Sequence, residues 1–158
     1  MSADRAWTLL IGYSCQIFAD FAGYSLIAIG IAALFGYRLP DNFNYPYLSA
    51  SIAEFWRRWH ISLSSWLKDY LYIPLGGNRK GSFRTYLHLL IVMVLGGLWH
   101  GAAWSYLIWG AYHGLLLGVE RATGLASARK GMVPGMLGTW TRYVVIFLLV
   151  SLGWSFFK

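Results

Sequence analysis

The chain has 158 residues, of which 58% are apolar, 18% aromatic and 12% charged. A soluble domain of this size carries about 45–50% apolar and about 25% charged residues, so the balance excludes disorder, a collagen-like fibre and an ordinary water-soluble domain. The net charge of +7 comes from basic residues set mostly between long apolar runs, where they read as cytoplasmic-side anchors of a membrane protein and not as a nucleic-acid surface.

Residues 6–37 form an apolar stretch interrupted by one charge, Asp20, and support one long crossing, tilted or broken. Residues 36–44 are a polar connection in which Pro40 cannot continue a helix. Residues 49–84 differ from everything around them: Arg57, Arg58, Lys68, Arg79, Lys80 and Arg84 are interleaved with aromatic side chains. Ile52, Phe55, Trp56, Trp59, Leu63, Trp66, Leu67 and Tyr70 follow a spacing of 3–4 residues. That spacing predicts an amphipathic helix lying in the interface or dipping into a protein-lined cavity, placed on the cytoplasmic side by its charge.

Residues 85–119 contain no Asp, Glu, Lys or Arg and are too long for one straight crossing. Two helical pieces are expected, with the break in the glycine-rich run from Gly96 to Gly101. Arg121, Arg129, Lys130 and Arg142 make the following loop basic, which requires residues 85–119 to go in and come back. Residues 143–157 are a short final crossing. The predicted class is all-α: a polytopic membrane protein with about four membrane helices plus the interfacial or re-entrant segment.

Histidines are the main candidates for chemistry, because imidazole exchanges protons near neutral pH. His100 lies between glycines in the uncharged stretch, at a depth where ionisable groups face a protein interior or a water-filled path. His60 shares a predicted helix face with Trp56 and Ser64; the alternative is an anchoring interfacial histidine. His88 reads as structural and His113 as a poor metal partner for His100. Asp20 must pair, hydrate or protonate at membrane depth, either holding two helices together or lining a site. Arg57 and Arg58 suit an anionic donor such as a pyrophosphate, or lipid headgroups. The single cysteine, Cys15, and the lack of H-x-x-x-H, H-E-x-x-H or CxxC spacing leave no metal site. Ser62 or Ser64 with His60 and Asp69 lacks the G-x-S-x-G elbow, and no phosphate-binding glycine loop is present.

Several ordered runs carry a resemblance: residues 20–25 (DFAGYS), 35–44 (FGYRLPDNFN), 55–64 (FWRRWHISLS), 66–79 (WLKDYLYIPLGGNR), 96–104 (GGLWHGAAW) and 109–114 (WGAYHG). Together they resemble the membrane-bound O-acyltransferase (MBOAT) family. Within it they are most similar to the bacterial branch that O-acetylates alginate and related polysaccharides, with the teichoic-acid D-alanyl transferase more distant. The resemblance covers about Gln16 to Phe157. It implies that His100, of the W-H-G motif, is the catalytic residue and that His60, of R-R-W-H-x-S, supports it.

The resemblance further implies an inner-membrane, multi-pass enzyme with no tightly bound cofactor. The donor would be acetyl-CoA or an acyl carrier thioester, and the acceptor a polysaccharide hydroxyl. Lipid and extracytoplasmic acetyl-relay or acetyltransferase proteins would be its partners, and nucleic acid would not. Family members run to several hundred residues, so a fragment or truncated product is expected, inactive in isolation. The rival reading is a channel or transporter segment with a path through Asp20, His60 and His100.

Overall fold

The computed structural model describes residues 2–124 and 135–157, which are all-helical apart from turns, loops and one isolated bridge. Arg129 and Lys130 of the basic loop lie outside the described residues. The elements are α1 (Ala3–Leu34), α2 (Ile52–Arg58), α3 (Ile61–Leu67), a π-helical turn (Lys68–Tyr72), the short α4 (Ile73–Leu75), α5 (Ser82–His100), α6 (Trp104–Ala122) and α7 (Met136–Trp154). Three of them, α1, α5 and α7, are long and apolar enough to cross a membrane.

Helix α1 ends because Gly36, at φ +82°, adopts the left-handed conformation that side chains disfavour. The Gly36 and Tyr37 N–H groups then donate to the Ala33 and Ala32 carbonyls and satisfy the helix end. The chain does not leave into solvent. It folds back along α1, where Asn42 Nδ2 donates to Ser25 Oγ at 3.3 Å and the Tyr47 hydroxyl donates to the Ser14 carbonyl at 2.6 Å. This return brings Trp59 and His60 against Phe18 and Phe21 of α1.

That segment is not one helix. It breaks at Trp59–His60, where His60 takes φ +44° and ψ +55°. Trp56, His60 and Ser64 therefore do not share the face of a continuous helix, a correction to the sequence reading. The 3–4 spacing runs through the break, but the folded-back loop intervenes. Asn44 N–H donates to the Arg58 carbonyl and Ile61 N–H to the Asn42 carbonyl, each at 3.0 Å. The Asn42 side-chain oxygen accepts from Ser62 N–H at 3.2 Å and Ser62 Oγ–H at 2.8 Å.

The hydrophobic core joins α2 to α6 and α7. Phe55 and Val150 are fully buried, and Ile52, Trp59, Trp109 and Trp154 nearly so. The rings meet edge-on or stacked, for example Trp56 edge-on to Trp109 at 5.6 Å and Trp109 stacked on Trp154 at 5.8 Å. Helices α5 and α6 run antiparallel, joined at residues 101–103. Gly96 and Gly97 do not break α5; the turn comes after them. A Cβ on Gly97 would lie 3.2 Å from the Gly110 Cα, and one on Gly110 would lie 2.9 Å from the Val94 Cα. The glycines let two backbones approach, as small residues do between membrane helices.

Candidate active site

His60 and His100 come from different elements and meet on one wall. His60 is presented by the break between α2 and α3, whereas His100 is the last residue of α5. A non-glycine residue in the left-handed region costs about 1–3 kcal/mol and persists only where its surroundings fix it. Here the Asn42 and Asn44 hydrogen bonds on either side supply that fixation.

Aromatic edges hold both imidazoles. Phe21 packs edge-on to His60 at 4.6 Å, and Trp99 lies 6.1 Å from it. His100 is set between Phe157 at 5.0 Å and Trp109 at 5.5 Å, both edge-on. Neither imidazole donates to or accepts a hydrogen bond from the described residues, so their nitrogens are available to a ligand. Burial pushes the His60 imidazole down to about 4, with a smaller push from nearby His100. At neutral pH His60 is therefore an uncharged ring.

Two cavities share the histidine wall. The larger, about 540 Å³, is mostly apolar and is lined by His60 and His100 together with Arg57, Lys68, Ser65 and Met93. The smaller, about 380 Å³, is lined by the same two histidines with Asp20, Gln16, Tyr24 and Trp99. Both imidazoles line each cavity; Arg57 and Lys68, the latter ion-paired with Asp69 at 3.1 Å, line the larger and Asp20 the smaller. An arrangement of this kind can bring two reactants from different directions onto one proton-transferring group.

The structure brings His60, His100, Arg57 and Asp20 to these cavities and does not bring Arg58. Its guanidinium donates to Glu54 Oε1 at 2.9 Å and turns away from the larger cavity. Asp20 makes no ion pair among the described residues. His88 is buried with Nδ1 3.2 Å from the Gly77 carbonyl, and His113 is fully buried between Trp56, Trp109 and Tyr112. No three His, Cys, Asp or Glu side chains converge as metal ligands among the described residues.

Three contributors escaped the sequence reading. Lys68 joins Arg57 at the larger cavity. Asn42 fixes the His60 backbone. Glu120, buried at the end of α6, accepts from Ile52 N–H at 2.5 Å and Ala53 N–H at 3.2 Å, capping α2 from far along the chain. Only Lys68 carried a legible signal, its charge within the aromatic segment.

A sequence profile of the membrane-bound O-acyltransferase family matches residues 5–155. The chain is 53% identical over 153 residues, 97% of its length, to the probable alginate O-acetylase of Azotobacter vinelandii, and 52% identical over the same share to that of Pseudomonas aeruginosa. It is 44% identical over its whole length to the peptidoglycan O-acetyltransferase of Helicobacter pylori. It spans 28% to 30% of the length of these relatives. With a match across nearly all of its residues, the chain belongs to the membrane-bound O-acyltransferase family.

Proposed function

We propose that this chain carries the acyl-transfer centre of a membrane O-acetyltransferase of the inner membrane, which moves an acetyl or other short acyl group from a cytoplasmic thioester to a polysaccharide hydroxyl. The acceptor is alginate-like, reached directly or through a partner protein that relays the group. The supporting observation is that His60 and His100 line two cavities, one also lined by Arg57 and Lys68 and the other by Asp20. The names of the relatives, alginate O-acetylase and peptidoglycan O-acetyltransferase, supply the acyl group and the acceptor class.

The thioester enters the larger cavity, where Arg57 and Lys68 attract a phosphate-bearing carrier such as coenzyme A or an acyl carrier protein. The hydroxyl enters the smaller one. His100 removes the hydroxyl proton as the oxygen attacks the thioester carbonyl. The tetrahedral intermediate collapses, the C–S bond breaks, and His100 returns the proton to the departing thiolate, leaving an ester and a free thiol. A base so placed contributes about 10²–10⁴-fold, sufficient for an already activated donor. His60 stays neutral and orients a reacting group beside it.

The test uses a chimera in which this chain replaces the matching segment of the full-length Azotobacter vinelandii relative. Membranes holding it are expected to consume a labelled acetyl thioester in an acceptor-dependent manner. Arg57→Ala and Lys68→Ala should each raise the donor KM several-fold. Solute or proton flux without thioester consumption would instead support the transporter reading.

A further inference from the structure

The reaction scheme leaves His113 of α6 without a role, although its side chain is fully buried. Neither of its ring nitrogens has a hydrogen-bond partner among the described residues. A buried polar ring left unpaired lowers stability, and a Leu or Met of similar size would carry no such cost. Metal binding does not account for it, since no three ligating side chains converge among the described residues. What the imidazole touches is aromatic. Trp56 and Trp109 each meet it edge-on at 5.1 Å, with interplanar angles of 87° and 68°.

Both indoles line the larger cavity, whereas His113 lines neither cavity, so it stands one layer behind the wall. Trp109 is the link forward. It is nearly fully buried and meets His100 edge-on at 5.5 Å with the planes at 89°. Edge-on ring pairs favour a definite mutual orientation, so the series His113–Trp109–His100 passes the placement of one ring to the next. Behind His113 lies the α7 backbone. A Cβ on Gly153 would lie 2.7 Å from the His113 Nε2, and the Tyr112 hydroxyl donates to the Leu149 carbonyl at 2.8 Å one turn earlier on α7. The imidazole is therefore wedged between that backbone and Trp109. It is flat and rigid, and shorter than the phenyl ring of Phe, which would reach further toward Gly153. A flexible apolar side chain would fill the same volume without fixing the indole.

We infer that His113 is a positioning residue for the transfer step: wedged against Gly153, it holds Trp109, and Trp109 holds the His100 imidazole in its reacting orientation. This rests on the acyl-transfer reading above. It separates the placement of the base from the binding of the donor, so His113 sets kcat and not the donor KM.

The experiment measures kcat and donor KM in membranes holding the chimera, with a labelled acetyl thioester as donor. His113→Met keeps the volume and removes the rigid ring. It is expected to insert and to unfold at or above the parental temperature in detergent, because an unpaired polar group is gone. Its kcat should fall by about tenfold to a hundredfold at unchanged donor KM, the range for a reacting geometry loosened by up to about 1 Å. Because the effect passes through Trp109, the loss in His113→Met combined with Trp109→Phe should fall well short of the product of the single losses. Gly153→Ala presses a methyl group onto the same ring. It should lower kcat in the parent and add little in the His113→Met protein, whose flexible side chain yields, so the coupling is readable even if the Trp109 variant inserts poorly. Parental kcat in an inserted His113→Met protein would overturn the inference. So would a donor KM that rises in step with the loss of kcat, or single losses that multiply in both combinations, the mark of a packing residue. A parallel His100→Gln protein that keeps parental turnover would overturn the acyl-transfer reading itself, whatever the His113 variants do.

Discussion

At His60 a reactive side chain is coupled to an unfavourable backbone, and the partners that hold it are named. Removing the Asn42 side chain frees Ser62 N–H and Oγ and leaves Ser25 without its amide partner. Asn42→Ala should lower stability in detergent by about 1–3 kcal/mol and reduce turnover more than it changes donor KM. Asn42→Asp keeps the acceptor oxygen and should be milder. The His60 ring makes a separate prediction. Its folded value of about 4 lies below the ordinary imidazole value of about 6.5, so the unfolded chain binds more protons between those limits. Stability should therefore fall as pH drops from about 6.5 toward 4, and His60→Phe should flatten that part of the pH profile. A titration of His60 by NMR with a midpoint near 6.5 would contradict the burial seen here.

Among the elements, α5 and α6 depend on glycine contacts that a side chain would force apart. Gly110→Ala places a methyl group against the α5 backbone and should destabilise by about 1–3 kcal/mol. Gly118, on the same helix, faces open space, and Gly118→Ala should be neutral or stabilising by up to about 1 kcal/mol. Thermal unfolding in detergent separates the two. The expected break in the run from Gly96 to Gly101 falls at its last residue, Gly101, and not at the Gly96–Gly97 pair. A glycine pair weakens an isolated helix, but here it is retained as helix because the partner backbone fills the space. His60, His100 and Asp20 were legible because ionisable groups in apolar surroundings stand out in any chain. The Trp59–His60 break was not legible, because the apolar spacing continues through it and its cause is Asn42 in another element. Glu120 follows directly after the uncharged stretch in sequence, and only folding brings it to the first turn of α2.

For the whole molecule, α1 exposes Leu9, Leu26, Ile27, Ile31 and Leu34, a face that water would not tolerate on so long a helix. The protein should remain with membranes after carbonate or high-salt washing, and release into the soluble fraction would remove the membrane reading. The smaller cavity is an open cleft beside that exposed helix. The 158-residue chain expressed alone is therefore expected to insert and to transfer no acyl group, because a reacting geometry loose by about 1 Å can cost about 10²-fold. Robust turnover by the purified chain would show that its own walls suffice.

The central claim is that His100 is the base on which donor and acceptor converge. Its most direct test is transfer of labelled acetyl from a thioester to the acceptor by the chimera carrying His100→Gln, with membrane insertion checked in parallel. Glutamine keeps much of the bulk and some hydrogen bonding and has no useful basicity. The account predicts normal insertion with turnover reduced by about 10²-fold or more. Parental turnover by an inserted His100→Gln protein would contradict it.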